Sequence, residues 1–159
     1  MRAVNRFLCS IPSLMLAMVL VGPASAADYV HMSSSRTISI RSDQHLIAIG
    51  DVAHEATFCD PATGLICFQS RDFKFAVPVD VGKRSTWAHD GVSYSSRRLD
   101  ETLLGRPGPY WLIKQQGHDR FEFVYSDRFG LLSIQTKSRA TGAYILMQSC
   151  RFAAAADWQ

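Results

Sequence analysis

The 159-residue sequence contains no C-x-x-C or H-x-x-x-H pair, no P-loop and no G-x-G-x-x-G. Structural zinc sites take their donors at such short spacings, and phosphate-cradling loops need glycines where the backbone approaches the phosphates. No metal site and no cofactor are therefore expected. A G-x-S-x-G elbow is missing too, so the serines around Tyr94 carry no hydrolase signature. Beyond the first residues, no apolar run is long enough for a membrane helix.

Charge is scarce, at 19% of residues. The basic pairs Lys83-Arg84 and Arg97-Arg98 have acids within a few residues and no interleaved aromatics, so they read as solvated ends or loops. Much of the apparent excess of positive charge lies at the N-terminus. Arg2 and Arg6 precede an apolar segment whose unbroken part runs from Leu14 to Val21, and Ala24-Ser25-Ala26 has the small-residue pattern of a cleavage site. That run is too short to cross about 30 Å of hydrocarbon comfortably. Residues 1–26 are thus expected to be a signal peptide, cut after Ala26. Without its two arginines the chain keeps fifteen basic residues against fourteen acidic ones. Nucleic acid is not an expected partner, and no transmembrane segment is expected after cleavage.

What is present is a series of short β-type runs punctuated by turns. Thr37–Arg41 alternates with period two, His45–Ile49 follows, and Cys67–Ser70 and Phe73–Val77 are two strands or one bent strand ended by Pro78. In "STWAHDGVSYSS", Asp90-Gly91 fits a two-residue type I′ turn and pairs His89 with Val92, Ala88 with Ser93 and Trp87 with Tyr94. A meander follows through Tyr110–Lys114, Phe121–Tyr125, Leu131–Gln135 and Thr141–Met147, with Arg98–Leu104 left as the place for a helical turn or two. Residues 27–159 are expected to form a single all-β domain, an antiparallel sandwich or small barrel with at most one short helix.

Three cysteines remain after cleavage: Cys59, Cys67 and Cys150. In an oxidising compartment two of them are expected to bond. Asp60-Pro61 and Thr63-Gly64 are turn chemistry, and a reversal centred on Thr63 sets Cys59 opposite Cys67. Local proximity selects that pair, which leaves Cys150 as a buried thiol or a partner for another chain. His54, Cys59 and Cys67 assemble into a metal site on paper only, for want of ligand spacing.

No catalytic residue is expected. His89 and His118 each precede an aspartate, Asp90 or Asp119, which gives the alternative of a periplasmic hydrolase built from loops, yet no nucleophile motif joins them. Aromatic residues are the remaining candidates. Trp87, Tyr94 and Trp111, with Arg97 beside them, are the expected ligand-binding residues, because flat amphipathic rings give contact area at low entropic cost. Strand spacing also makes such rings ordinary cross-strand packing. The expectation is an exported β-domain of a bacterial envelope, periplasmic or extracellular, with a binding or structural role and an envelope glycan or protein as partner. A third alternative is a secreted inhibitor or assembly partner acting through a sheet edge or loop.

Overall fold

The computed structural model describes residues 26–31, 37–103, 105–116, 121–137 and 144–150. The expected leader up to residue 25, the loop with His118 and Asp119, and the C-terminal alanine run lie outside the described residues.

Fifteen strands follow one another along the described chain. They are β1 (Ala26–His31), β2 (Thr37–Arg41), β3 (Leu46–Ile49), β4 (Val52–Glu55), β5 (Thr57–Phe58), β6 (Leu65–Gln69), β7 (Lys74–Pro78) and β8 (Thr86–His89). The others are β9 (Val92–Leu99), β10 (Thr102–Leu103), β11 (Arg106–Pro107), β12 (Tyr110–Gln116), β13 (Phe121–Ser126), β14 (Gly130–Lys137) and β15 (Tyr144–Ser149). Two 3₁₀ turns, Pro61–Thr63 and Val81–Lys83, are the helical elements among the described residues. The chain is all-β and antiparallel, as its alternating pattern predicts.

Ten strands form one sheet in the order β4-β3-β2-β1-β15-β14-β13-β12-β9-β8. Its ends, β4 and β8, do not pair with each other, and the arrangement is consistent with the expected sandwich. β5, β6 and β7 form a second sheet. It packs on one face of the first through interlocked rings: Phe73 stands edge-on to Phe121 with centroids 5.5 Å apart, and Phe75 edge-on to Phe123 at 5.0 Å. Edge-to-face contacts match the positive ring edge to the negative ring face. Period-two alternation explains which residues turn inward. Ile38 and Ile40 of β2, Phe123 and Tyr125 of β13 and Ile134 of β14 are all buried in the same core. Each fully buried large side chain contributes about 1.5–3 kcal/mol relative to exposure.

The β8–β9 hairpin has the register expected from its turn, with Trp87 opposite Tyr94 and His89 opposite Val92. Asp90 and Gly91 both take positive φ, 47° and 72°, the handedness that matches strand twist. The Trp87 and Tyr94 rings stack 5.7 Å apart.

Arg98–Leu104 is not helical where it is described. Arg98 and Leu99 extend β9 along β12, opposite Trp111 and Tyr110, and β10 then pairs with β11. The ladder supplies the backbone partners that a helix would have made internally. It also brings Leu99 and Leu103 against buried Tyr110 and Leu132, a small second cluster.

Candidate functional site

The stretch from Cys59 to Cys67 is built by local turn chemistry. Asp60 caps the first 3₁₀ turn, its Oδ1 accepting from the Ala62 amide at 2.9 Å. Gly64 ends the turn with φ of 81°, where a side chain would be strained, and its amide donates to the Pro61 carbonyl. The chain thus reverses, the Cys59 amide donates to the Cys67 carbonyl at 3.1 Å, and the two cysteines are joined as a disulfide. The pairing expected from proximity is present. Cys150 is half-buried and not part of it.

A residue the sequence reading did not place here completes the cluster. His89, at the end of β8, points its Nε2 at Cys59 Sγ from 3.8 Å. His54, the histidine that sequence proximity suggested, instead lies 3.6 Å from Asp72 Oδ2. The β8–β9 hairpin docks on the small sheet through the Trp87 Nε1 donor, 3.1 Å from the Ala76 carbonyl, and through Lys74 Nζ, 2.6 Å from Asp90 Oδ2. Those two contacts carry His89 to the disulfide. The Lys74 ammonium holds the Asp90 carboxyl below its usual range, chiefly by that hydrogen bond.

Lined in part by the disulfide, a cavity of about 640 Å³ opens between the sheets. One wall is Tyr29 and Ile40 from β1 and β2, with Tyr125 and Leu131 from β13 and β14. The facing wall is Phe58, Ile66 and Phe68 with both half-cystines. Most of this lining is apolar. The Tyr29 hydroxyl is spent on the Leu131 carbonyl at 3.0 Å, which braces the wall. Burial, with Asp127 adding to it, pushes the Tyr125 phenol up to about 12, so the hydroxyl stays protonated and able to donate at neutral pH.

Charge enters the cavity at one place. Arg106 of β11 and Arg128 of the β13–β14 turn are both wall residues, and both guanidinium groups lie over the Phe129 ring, 5.1 and 5.0 Å from its centroid. Each is drawn to the negative charge of the ring face it covers. Arg128 is exposed, so this rim meets solvent. Asp127 is exposed in the same turn but does not line the cavity. The rim therefore offers two guanidinium groups beside a mostly apolar wall.

The four residues expected to bind a ligand fall in different places. Trp87 packs against the core, and Tyr94 is 1% exposed beneath it. Burial pushes the Tyr94 phenol up to about 12. Trp111 also packs on the core, close enough to Gly82 that a β-carbon there would come within 3.2 Å of its ring. Arg97 is exposed and, by strand alternation, on the opposite face of β9 from Tyr94. These residues do not share one surface. A second, shallower cleft lined by Glu55, Ser70, Arg71, Lys74 and Asp90 is polar and mixed in charge, and its Lys74–Asp90 pair is already satisfied internally. Compared with known proteins, the chain matches no family model, no curated protein and no solved structure.

Proposed function

We propose that the chain is an exported, non-catalytic binding domain whose inter-sheet cavity takes a small amphipathic anion, a molecule with an apolar body and one acidic head. The observation that carries this reading is the joining of a mostly apolar cavity of about 640 Å³ to a rim that holds Arg106 and Arg128 beside Phe129. Sites for small molecules have this make-up, mostly apolar walls with a few placed polar groups, in the range of about 300–1,000 Å³. The apolar body displaces water from Phe58, Phe68 and Leu131, while the acidic head accepts charge-assisted hydrogen bonds from the guanidinium groups. The Tyr125 phenol is a further donor inside the cavity. Export is supported by the leader pattern and by the Cys59–Cys67 bond, which persists in oxidising compartments. Cleavage after Ala26 leaves the β1–β2 register from Ala27 opposite Ile40 to Val30 opposite Thr37 in place.

Calorimetric titration of chain 27–159 with decanoate and with decanol tests the reading. Decanoate should bind saturably at one site. The Arg106→Gln, Arg128→Gln double variant should lose at least about tenfold in decanoate affinity, since a hydrogen bond to a charged group is worth about 1.5–3 kcal/mol, and should bind decanol unchanged. Absence of saturable decanoate binding, or an equal loss for acid and alcohol, removes the proposal.

A further inference from the structure

We infer that Cys59, Cys67 and His89 form a latent site for a thiophilic d10 cation of the zinc type, closed while the cysteines are bonded and opened by their reduction. The two Sγ atoms and a ring nitrogen of His89 all lie within 4.8 Å of one another. Cys59 Sγ and His89 Nε2 are 3.8 Å apart. For a tetrahedral ion with Zn–S of about 2.3 Å and Zn–N of about 2.05 Å, the sulfur and nitrogen ligands stand about 3.6 Å from each other. The sulfur–imidazole spacing is therefore already close to that of a ligand pair.

Three features make the rest of the adjustment small. Cys67 lies in β6 and Cys59 directly follows its neighbour β5, so breaking their bond releases the side chains without separating the backbones, which the Cys59 amide to Cys67 carbonyl hydrogen bond still holds. His89 closes β8, the terminal strand of the large sheet, which has a ladder partner on one side only. The 3.8 Å spacing to Cys59 Sγ needs to close by only about 0.2 Å to reach that of a ligand pair. Finally, Cys67 is buried while Cys59 and His89 are half-buried, so the fourth coordination position faces solvent, where water completes it. Two soft thiolates and an imidazole match zinc-type ions and not the hard, oxygen-seeking cations.

The chemistry balances with one named co-reactant, a dithiol. The dithiol gives two electrons and two protons to the disulfide, leaving two cysteine thiols on this chain and a disulfide on the donor. The divalent ion then displaces both thiol protons to solvent, and neutral His89 donates its Nε2 lone pair. In the oxidised chain these two sulfurs are spent on each other, and the site itself has no thiolate to offer. Metal binding thus reports the redox state of this one bond.

The test uses the mature chain, reduced with a phosphine that is removed under anaerobic conditions, and titrated with Co²⁺ and then Zn²⁺. The reduced chain should bind one equivalent of Co²⁺ with a thiolate-to-metal charge-transfer band that Zn²⁺ abolishes, and the oxidised chain should show no such band. His89→Gln should weaken Co²⁺ binding by more than about a hundredfold, beyond what the loss of an outer-shell partner usually costs. His89→Cys should restore it, which separates a lost ligand from a damaged hairpin. Failure of the reduced chain to bind, equal binding by His89→Gln, or a His89→Gln loss that His89→Cys does not repair each overturns the inference.

Discussion

Replacing Cys59 by serine separates what the disulfide contributes from what the surrounding turn contributes. The bond closes a loop of nine residues, Cys59 to Cys67. Loop-closure entropy makes that worth about 2.6 kcal/mol, through the unfolded chain that the bond constrains. The folded-state hydrogen bonds of the loop, such as Gly64 to Pro61 and Val79 to Gly64, do not involve sulfur and survive. Cys59 is half-buried, so a serine hydroxyl there keeps access to water, and the thiol left at Cys67 behaves as a small apolar group in a core that suits it. The expected loss is therefore close to the entropic figure. Cys67 is 3% exposed, and serine at that position additionally buries a hydroxyl at about 1–3 kcal/mol. Urea unfolding followed by the fluorescence of Trp87 and Trp111, both packed on the core, measures the two variants. Cys59→Ser should lose about 2.6 kcal/mol and Cys67→Ser about 3.6–5.6 kcal/mol. With a reductant present the wild-type chain should fall to the level of Cys59→Ser, while Cys67→Ser stays lower. Equal losses for the two variants, or a wild-type chain indifferent to reductant, would refute the reasoning.

The hairpin turn and the buried phenols give two further expectations. Gly91→Val should cost about 1–3 kcal/mol because φ is +72°, although nothing lies within 4 Å of the added carbon, and Gly91→Asn should cost much less because asparagine tolerates that conformation; equal melting midpoints for the two variants would contradict a purely backbone cause. Tyr94 and Tyr125 are held neutral by burial, with folded pKa values of about 12 against about 10 when unfolded, so this contribution to stability is complete below pH 10 and is lost as pH rises through 12. Near-ultraviolet phenolate absorbance read beside tryptophan fluorescence should show two tyrosines ionising late and together with loss of the fold, and their ionisation near pH 10 in a folded chain would contradict it.

The parts of this molecule that could be read in advance are those whose partners are close in sequence. Asp90-Gly91 dictates the pairing of Trp87 with Tyr94 because a two-residue turn leaves no choice of register, and the turn residues between Cys59 and Cys67 set them opposite for the same reason. The cavity could not be read that way. Its walls come from β1, β2, β5, β6, β11, β13, β14 and β15, and no local rule says which faces of distant strands will leave a gap between two sheets. Arg106 and Arg128 were invisible for a related reason, since what unites them is one phenylalanine ring. His89 was legible as a turn residue, but its approach to Cys59 depends on how the hairpin docks on the small sheet, 30 residues away along the chain. Trp87, Tyr94 and Trp111 share a composition with ligand platforms and with packed cores, and only tertiary context separates the two.

The pairing of β1 with β15 joins the two ends of the described chain in the middle of the large sheet, Tyr29 opposite Ser149, about 120 residues apart. During synthesis from the N-terminus, β1 can find β2 at once, but its other edge stays bare until β15, about 120 residues later, has emerged. Closing so long a loop is entropically costly and slow, so assembly must begin in local hairpins and finish with this last seam. Until it closes, β1 and β14 each present a row of unpaired amides and carbonyls to any neighbouring chain. The Tyr29 hydroxyl reaches across to the Leu131 carbonyl on β14, so the seam is latched once β15 is seated. A chain that lost its final strand would not simply be shorter at one end. It would be split into two half-sheets, each with an adhesive inner edge.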